Sequence, residues 1–251
     1  MSRFAGAVLW PFAALTVFAA SGALPGVTRV DAAQKAPLQS DWVRANLMKA
    51  HYRAVLALQD SVIRGDLAEV GPAADALAAE TAPPGLPSNS TPYVAAMRDA
   101  ARRTARATSI EQAANGTASL LATCGDCHLA MGTRPAVVAP SSSALGGVVG
   151  HMLGHQQAVE LMLEGLVVPS ATSWQDGARG LKVAPLRRRE LPPDAKLTRQ
   201  IAATEDLVHR LADDAVSAND RGARVTAYGQ TLTTCATCHS LHRELWGPAP
   251  R

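Results

Sequence analysis

The chain has 251 residues, 47% of them hydrophobic and 18% charged, a composition that excludes an intrinsically disordered polypeptide. Net charge is only +3, from 24 Lys and Arg against 21 Asp and Glu. The basic residues are scattered, with no stripe of interleaved aromatics, which argues against a nucleic-acid-binding surface. Abundant alanine and few β-branched runs favour helix on propensity. All three phenylalanines (Phe4, Phe12, Phe18) fall in the first twenty residues. The remaining core is therefore predicted to draw on Leu, Val, Ala and Met, with some further large apolar group.

Met1-Ser2-Arg3 is a basic start, and Phe4 to Leu24 is an uncharged apolar run interrupted by Pro11. Small residues follow, with cleavage sites offered by Val30-Asp31-Ala32 and Ser21-Gly22-Ala23. Residues 1–33 read as a secretory signal, which predicts a periplasmic or otherwise extracytoplasmic protein. The run is just long enough to span a bilayer, so the alternative is an uncleaved N-terminal membrane anchor.

An exported chain with four cysteines usually carries disulfides. Here the spacing argues otherwise. All four cysteines lie in two Cys-x-x-Cys-His units, Cys124-Gly125-Asp126-Cys127-His128 and Cys235-Ala236-Thr237-Cys238-His239. Two thiols three positions apart can form thioethers with the two vinyl groups of one porphyrin, and the adjacent histidine then lies under the iron. Disulfides within each pair would leave both histidines unexplained. A four-cysteine zinc site wants its pairs about 15–20 residues apart, and a thioredoxin-like motif wants a nearby strand–helix–strand pattern; neither is present. The prediction is two covalently attached haem c groups, with Cys124, Cys127, His128, Cys235, Cys238 and His239 as attachment residues. His128 and His239 are the expected proximal iron ligands. A buried porphyrin would also supply the large apolar body missing from the core.

The chain repeats itself. Leu121-Ala122-Thr123-Cys124 matches Leu232-Thr233-Thr234-Cys235, and Met48-x-x-His51-x-x-Ala54-Val55 matches Met152-x-x-His155-x-x-Ala158-Val159. Self-similarity on this scale predicts two similar domains from an internal duplication: residues 34–134 and 148–251, joined by a Pro-, Ser- and Gly-rich linker over 135–147.

In the first half, Asp41 is expected to cap a helix that Gly65 stops, and Asp66 a second helix to about Glu80, broken at Gly71-Pro72. Thr91-Pro92 should open a third helix to about Ala107. Ser109-x-x-Gln112 is a capping-box pattern opening a fourth that ends in the haem motif. In the second half, helices are expected near 144–165, 171–181, 194–217 and 220–243. The fold class predicted is all-α: two tandem four-helix-bundle-like haem domains.

In this layout each half resembles the class II cytochromes, the cytochrome c′ and cytochrome c-556 type. The resemblance covers residues 41–131 and about 144–245. It implies a four-helix bundle with the attachment motif near the end of helix four. It also implies that helix one supplies whatever faces the iron from the other side.

Met48, His51, Val55, Leu58 and Val62 share one face of the first helix, and Met152, His155, Val159, Met162 and Leu166 share the matching face in the second half. His51 and His155 are the expected distal iron ligands, giving bis-histidine iron. Met48 and Met152 are the competing ligands, an alternative that the resemblance to the c-556 type, which uses a helix-one methionine, keeps open. A histidine satisfied by a hydrogen bond is the plainer reading of either imidazole. His151, His209 and His242 have no first-half counterparts and are expected on the surface. Trp174 and Trp246 read as ordinary packing or as cover for a porphyrin edge.

Protein ligands on both faces of each iron would make the chain an electron carrier acting with redox partner proteins, rather than an enzyme. The cytochrome c′ branch offers the alternative of binding or detoxifying small diatomic gases at an open haem; a peroxidase-like activity is weaker still. Arg187-Arg188-Arg189, between prolines, reads as a solvated loop or as a docking patch for an acidic redox partner. Exposed helical faces leave room for an oligomer.

Overall fold

The computed structural model describes residues 35–80, 82, 85–135, 146–182, 186, 190–191 and 194–246. The expected signal segment, most of the expected linker and the arginine triplet lie outside them. The described chain is all-α: α1 (Lys35–Ile63), α2 (Leu67–Ala79), α3 (Thr91–Ala105), α4 (Ile110–Ala130), α5 (Gly147–Val167), α6 (Ala171–Gly180), α7 (Ala195–Ser217) and α8 (Arg221–Trp246), with one 3-10 turn at Ser88–Ser90. No described helix is long and apolar enough to cross a membrane.

Most helix ends follow from local chemistry. Gly65, at φ +66°, takes the left-handed position that stops α1. The Asp66 side chain accepts from the Glu69 amide at 3.4 Å to start α2. Asp194 accepts from the Leu197 amide at 2.7 Å to start α7. At α4, Ser109 Oγ accepts from the Gln112 amide at 3.2 Å, while Gln112 Oε1 reaches back to the Thr108 amide at 3.0 Å. The capping box therefore closes one residue earlier than its pattern predicts.

Three expectations are corrected. Asp41 is not a cap: α1 begins at Lys35 and Asp41 sits inside it, paired with Arg44. Pro37 does not prevent the earlier start, because amides in a helix's first turn have no internal acceptor. The second helix is not broken at Gly71-Pro72. Pro72 costs the Ala68 carbonyl its helical donor, but Ala68 and Pro72 are both exposed, so water can serve that carbonyl. Thr91 is the first residue of α3 rather than its cap; Ser90 holds that place.

A single hydrophobic core draws on both halves of the chain. Leu58 and Val62 of α1, Leu120 and Leu121 of α4, Met162 and Leu163 of α5, and Tyr228 and Leu232 of α8 all belong to it. Its largest fully buried members are Trp174 and Tyr228, so two aromatics serve a core whose described residues contain no phenylalanine. Trp174 Nε1 donates to the Ala215 carbonyl at 2.8 Å, and Tyr228 Oη donates to Gln59 Oε1 at 2.5 Å across the halves. Trp174 is thus a packing residue.

The halves join along α4 and α8, which run antiparallel. Asp126 near the end of α4 pairs with Arg221 at the start of α8, and Asn115 lies against Gly229. Each of these helices also seats on the end of the other half's first helix. Gly125 of α4 packs on the Leu166 carbonyl of α5, and Ala236 of α8 packs on Gly65 at the end of α1. On propensity, Gly125→Ala should stabilise α4 by about 1 kcal/mol. The added methyl would instead collide with the Leu166 carbonyl and meet the Pro169 ring at 3.2 Å. The expected net result is a loss of about 1–3 kcal/mol, read as a lower denaturation midpoint with an unchanged slope; an increased midpoint would refute the seating.

Candidate functional site

Both Cys-x-x-Cys-His units lie in the last turns of long helices, the first in α4 and the second in α8. All four cysteines are free thiols. Burial pushes the Cys124 thiol up to about 12, and the neighbouring Cys127 adds to the rise. Burial likewise raises Cys127. In α8, burial pushes Cys235 up to about 12 and Cys238 up to about 11, with the Glu205 carboxylate of α7 adding to both. The four groups therefore stay protonated at neutral pH, as intact S–H bonds rather than thiolates.

His128 is held by a contact from outside its own helix. Its Nδ1 lies 2.7 Å from the Val167 carbonyl at the end of α5. A carbonyl only accepts, so Nδ1 carries the proton and Nε2 is left with its lone pair. This is the tautomer that an iron or another metal requires. His239 sits elsewhere: burial lowers its pKa, His242 and Arg243 lower it further, and Asp60 of α1 raises it. It is a neutral imidazole at neutral pH.

The two distal candidates have different surroundings. His51 is mostly buried on α1, its Nε2 3.5 Å from Glu80 Oε2 without the alignment of a hydrogen bond. Burial lowers its pKa, Glu80 raises it, and Arg98 lowers it again. Arg98 in turn donates to the Glu80 carbonyl through Nε at 3.1 Å. His155 is 8% exposed, and burial pushes its pKa down to about 4, with His151 as the next cause. Met48 and Met152, one turn earlier on their helices, are half-buried.

The expectation of surface positions for His151, His209 and His242 is corrected. The side chains of His151 and Glu205 are 7% and 6% exposed, and their Nε2 and Oε1 atoms stand 2.6 Å apart. His209, one turn along α7 from Glu205, holds its Nε2 at 3.8 Å from the same oxygen. His242 Nε2 is also buried; burial lowers its pKa, and Glu205 is near enough to oppose that fall. A single buried carboxylate gathers imidazoles from three helices, because burying it alone would be costly. Sequence reading treated each histidine singly; the i, i+4 spacing of His151 and His155 on α5 was the available signal.

A covalent haem asks for two thiols and an imidazole presenting Nε2, and the donor chemistry of both motifs fits it. A cavity of about 60 Å³ lies beside Glu205, lined in part by Leu186, Leu191 and Ile201. That is far below the roughly 300 Å³ of a small ligand pocket, so this cavity does not hold a porphyrin. The two motifs are also remote from each other. His239 lies 18 positions past Arg221, the partner of Asp126, which is about 27 Å along α8.

No protein-family model, no curated protein and no solved structure matches this chain.

His155 generates a prediction for the chain free of haem and metal. A folded-state pKa of about 4, below the ordinary 6.5, means that the unfolded chain binds this proton more tightly. The stability it contributes is complete above pH 6.5 and is lost as pH falls toward 4. Urea midpoints should decline over that window, and His155→Gln should flatten the decline. Equal slopes in the two proteins would remove His155 as the cause.

Proposed function

We propose that this chain is an exported c-type cytochrome that carries two haem groups, on Cys124, Cys127 and His128 and on Cys235, Cys238 and His239, and transfers electrons between protein partners. The observation that carries the reading is the use of every cysteine in a Cys-x-x-Cys-His unit at the end of a core helix. The 2.7 Å contact of His128 Nδ1 with the Val167 carbonyl supports it, since it leaves Nε2 free as a donor. The two motif histidines recur at the same place in repeated sequence blocks, which supports two class II-like haem units from a duplication.

Attachment needs no redox change in the chain. Each cysteine adds its sulfur to one carbon of a vinyl group and its hydrogen to the other, so an S–H and a C=C π bond are exchanged for an S–C and a C–H bond. When bound, the haem supplies a one-electron ferric/ferrous couple. His128 and His239 would hold the iron from one side, His128 through the Nε2 that its contact with Val167 leaves available. On the other side, His51 is the first-half candidate with Met48 as competitor, and His155 and Met152 are the corresponding pair in the second half. A thioether in place of an imidazole raises the reduction potential. Leu, Val and Ala side chains around α4 and α8 keep water away and tune the potential through burial. With the motifs about 27 Å apart along α8, each haem would exchange electrons with its own partner surface.

One observation favours the gas-binding alternative. His51 and His155 both have carboxylates as neighbours, Glu80 and Glu205. If those contacts persist with haem present, the distal faces are open to small diatomic molecules.

Expression in a host competent for cytochrome c maturation should yield a chain heavier by two haem masses, and Cys124→Ser with Cys127→Ser should remove one. Electron paramagnetic resonance of the ferric protein should show two magnetically independent irons. Ligation by His51 predicts one low-spin iron that His51→Ala converts to high spin. A high-spin signal in the parent protein with rapid carbon monoxide binding would replace electron transfer by the gas-binding reading. A bare-protein mass would end both.

A further inference from the structure

We propose that His151, His155 and Glu205 form a binding site for a divalent transition-metal ion of the zinc class, with His209 as the fourth side chain, separate from the attachment residues. His151 and His155 are one turn apart on α5, with ring centroids 4.3 Å apart and planes tilted by 52°. Histidines at i and i+4 present two nitrogens from one helix face, the arrangement that zinc sites on helices use. Glu205 comes from α7, and its carboxylate completes a two-histidine, one-carboxylate set, a set found at catalytic zinc. The three ligand atoms lie within 4.8 Å of one another.

The second observation is the state of these atoms. Nε2 of His151, Nε2 of His155 and Glu205 Oε1 are all buried, and none has a hydrogen-bond partner. His151 Nε2 and Glu205 Oε1 approach to 2.6 Å, yet they are not aligned to share a proton. Buried polar atoms are rarely left without partners, and a group of them calls for an explanation. A shared cation satisfies all three at once: two neutral imidazoles offer lone pairs and the carboxylate offsets charge. Zinc bonds to nitrogen and oxygen run about 2.0–2.2 Å, which sets tetrahedral donors roughly 3.4 Å apart. Loading therefore opens the His151–Glu205 pair by less than about 1 Å and draws His209 in from 3.8 Å.

The site does not need the haem reading, but it bears on it. A bound cation occupies His155, so the second iron takes Met152 or keeps an open face, and the two haem units become unequal. Position 47, which the duplication aligns with His151, is Leu47. The first half therefore lacks the helical histidine pair.

The test uses the full, matured chain. It is stripped of loosely held metal with a chelator, dialysed against micromolar zinc chloride, and assayed for zinc and iron together. The expected result is one zinc per chain. His151→Ala and Glu205→Gln should bind it at least about tenfold more weakly, while Asp75→Asn, an exposed α2 site, binds as the parent does. Zinc should also raise the melting temperature of the parent and not of the two variants, checked on samples of unchanged helicity. A parent chain that takes up no zinc at 100 μM overturns the proposal, whatever the variants do. So does undiminished binding by either folded variant. Zinc with no haem iron leaves the metal site standing and sinks the cytochrome reading; two haem irons with no zinc do the reverse.

Discussion

The contact on which the rest of the structure depends is the antiparallel seam between α4 and α8. It carries both Cys-x-x-Cys-His units and sets them at opposite ends. It also fixes each motif helix against the first helix of the other half: Gly125 on the Leu166 carbonyl, and Ala236 on Gly65. The small residue needed for close approach lies within the motif in one case and in the facing turn in the other. His128 takes its carbonyl partner from Val167 at the end of α5, in the other half. The first half could not orient its motif histidine in this way alone. Arg243 of α8 likewise donates to the Arg64 carbonyl at the end of α1.

That arrangement explains what the sequence made legible and what it hid. Helix positions were readable because they depend on neighbours in sequence: Gly65 as a stop, Asp66 and Ser109 as caps, and the apolar stripe of α5 from His155 to Leu166. The errors, at Asp41 and Pro72, came from treating a permitted residue as an obligatory boundary. The joining of the halves was not readable. Repeated blocks with a proline- and serine-rich segment between them suggest two separate units. Nothing local announces that Tyr228 will reach Gln59 or that Asp126 will meet Arg221. Those contacts are set by the shape of two assembled surfaces.

The candidate site divides along the same line. Cys124, Cys127, His128 and their α8 equivalents were identifiable because the chemistry lies in their spacing. Glu205 was not, since a lone acid on an amphipathic helix normally faces water. Its effect appears only when α5, α7 and α8 are packed. His151 and His209, read singly as surface residues, then become the nearest partners of a buried anion.

The energetics of that carboxylate connect site and fold. An isolated anion this deep would be driven to take up a proton, and burial alone does raise the Glu205 pKa. The close approach of His151, followed by the proximity of His155 and His209, outweighs burial and holds it below its ordinary value. The same burial drives His155 toward neutrality. Opposite protonation preferences are thus imposed on groups a few ångströms apart: a carboxylate held negative and the His155 imidazole held neutral. Rearranging protons among these groups cannot supply each of them with a partner, because only His151 approaches the oxygen closely. A positively charged centre among them can, whether it is an iron on the α8 motif drawing on His155 alone or a smaller cation shared by all three. The shared cation accounts for more of the buried atoms. It also gives a reason for His151 to stand where the matching sequence block of the first half has Leu47.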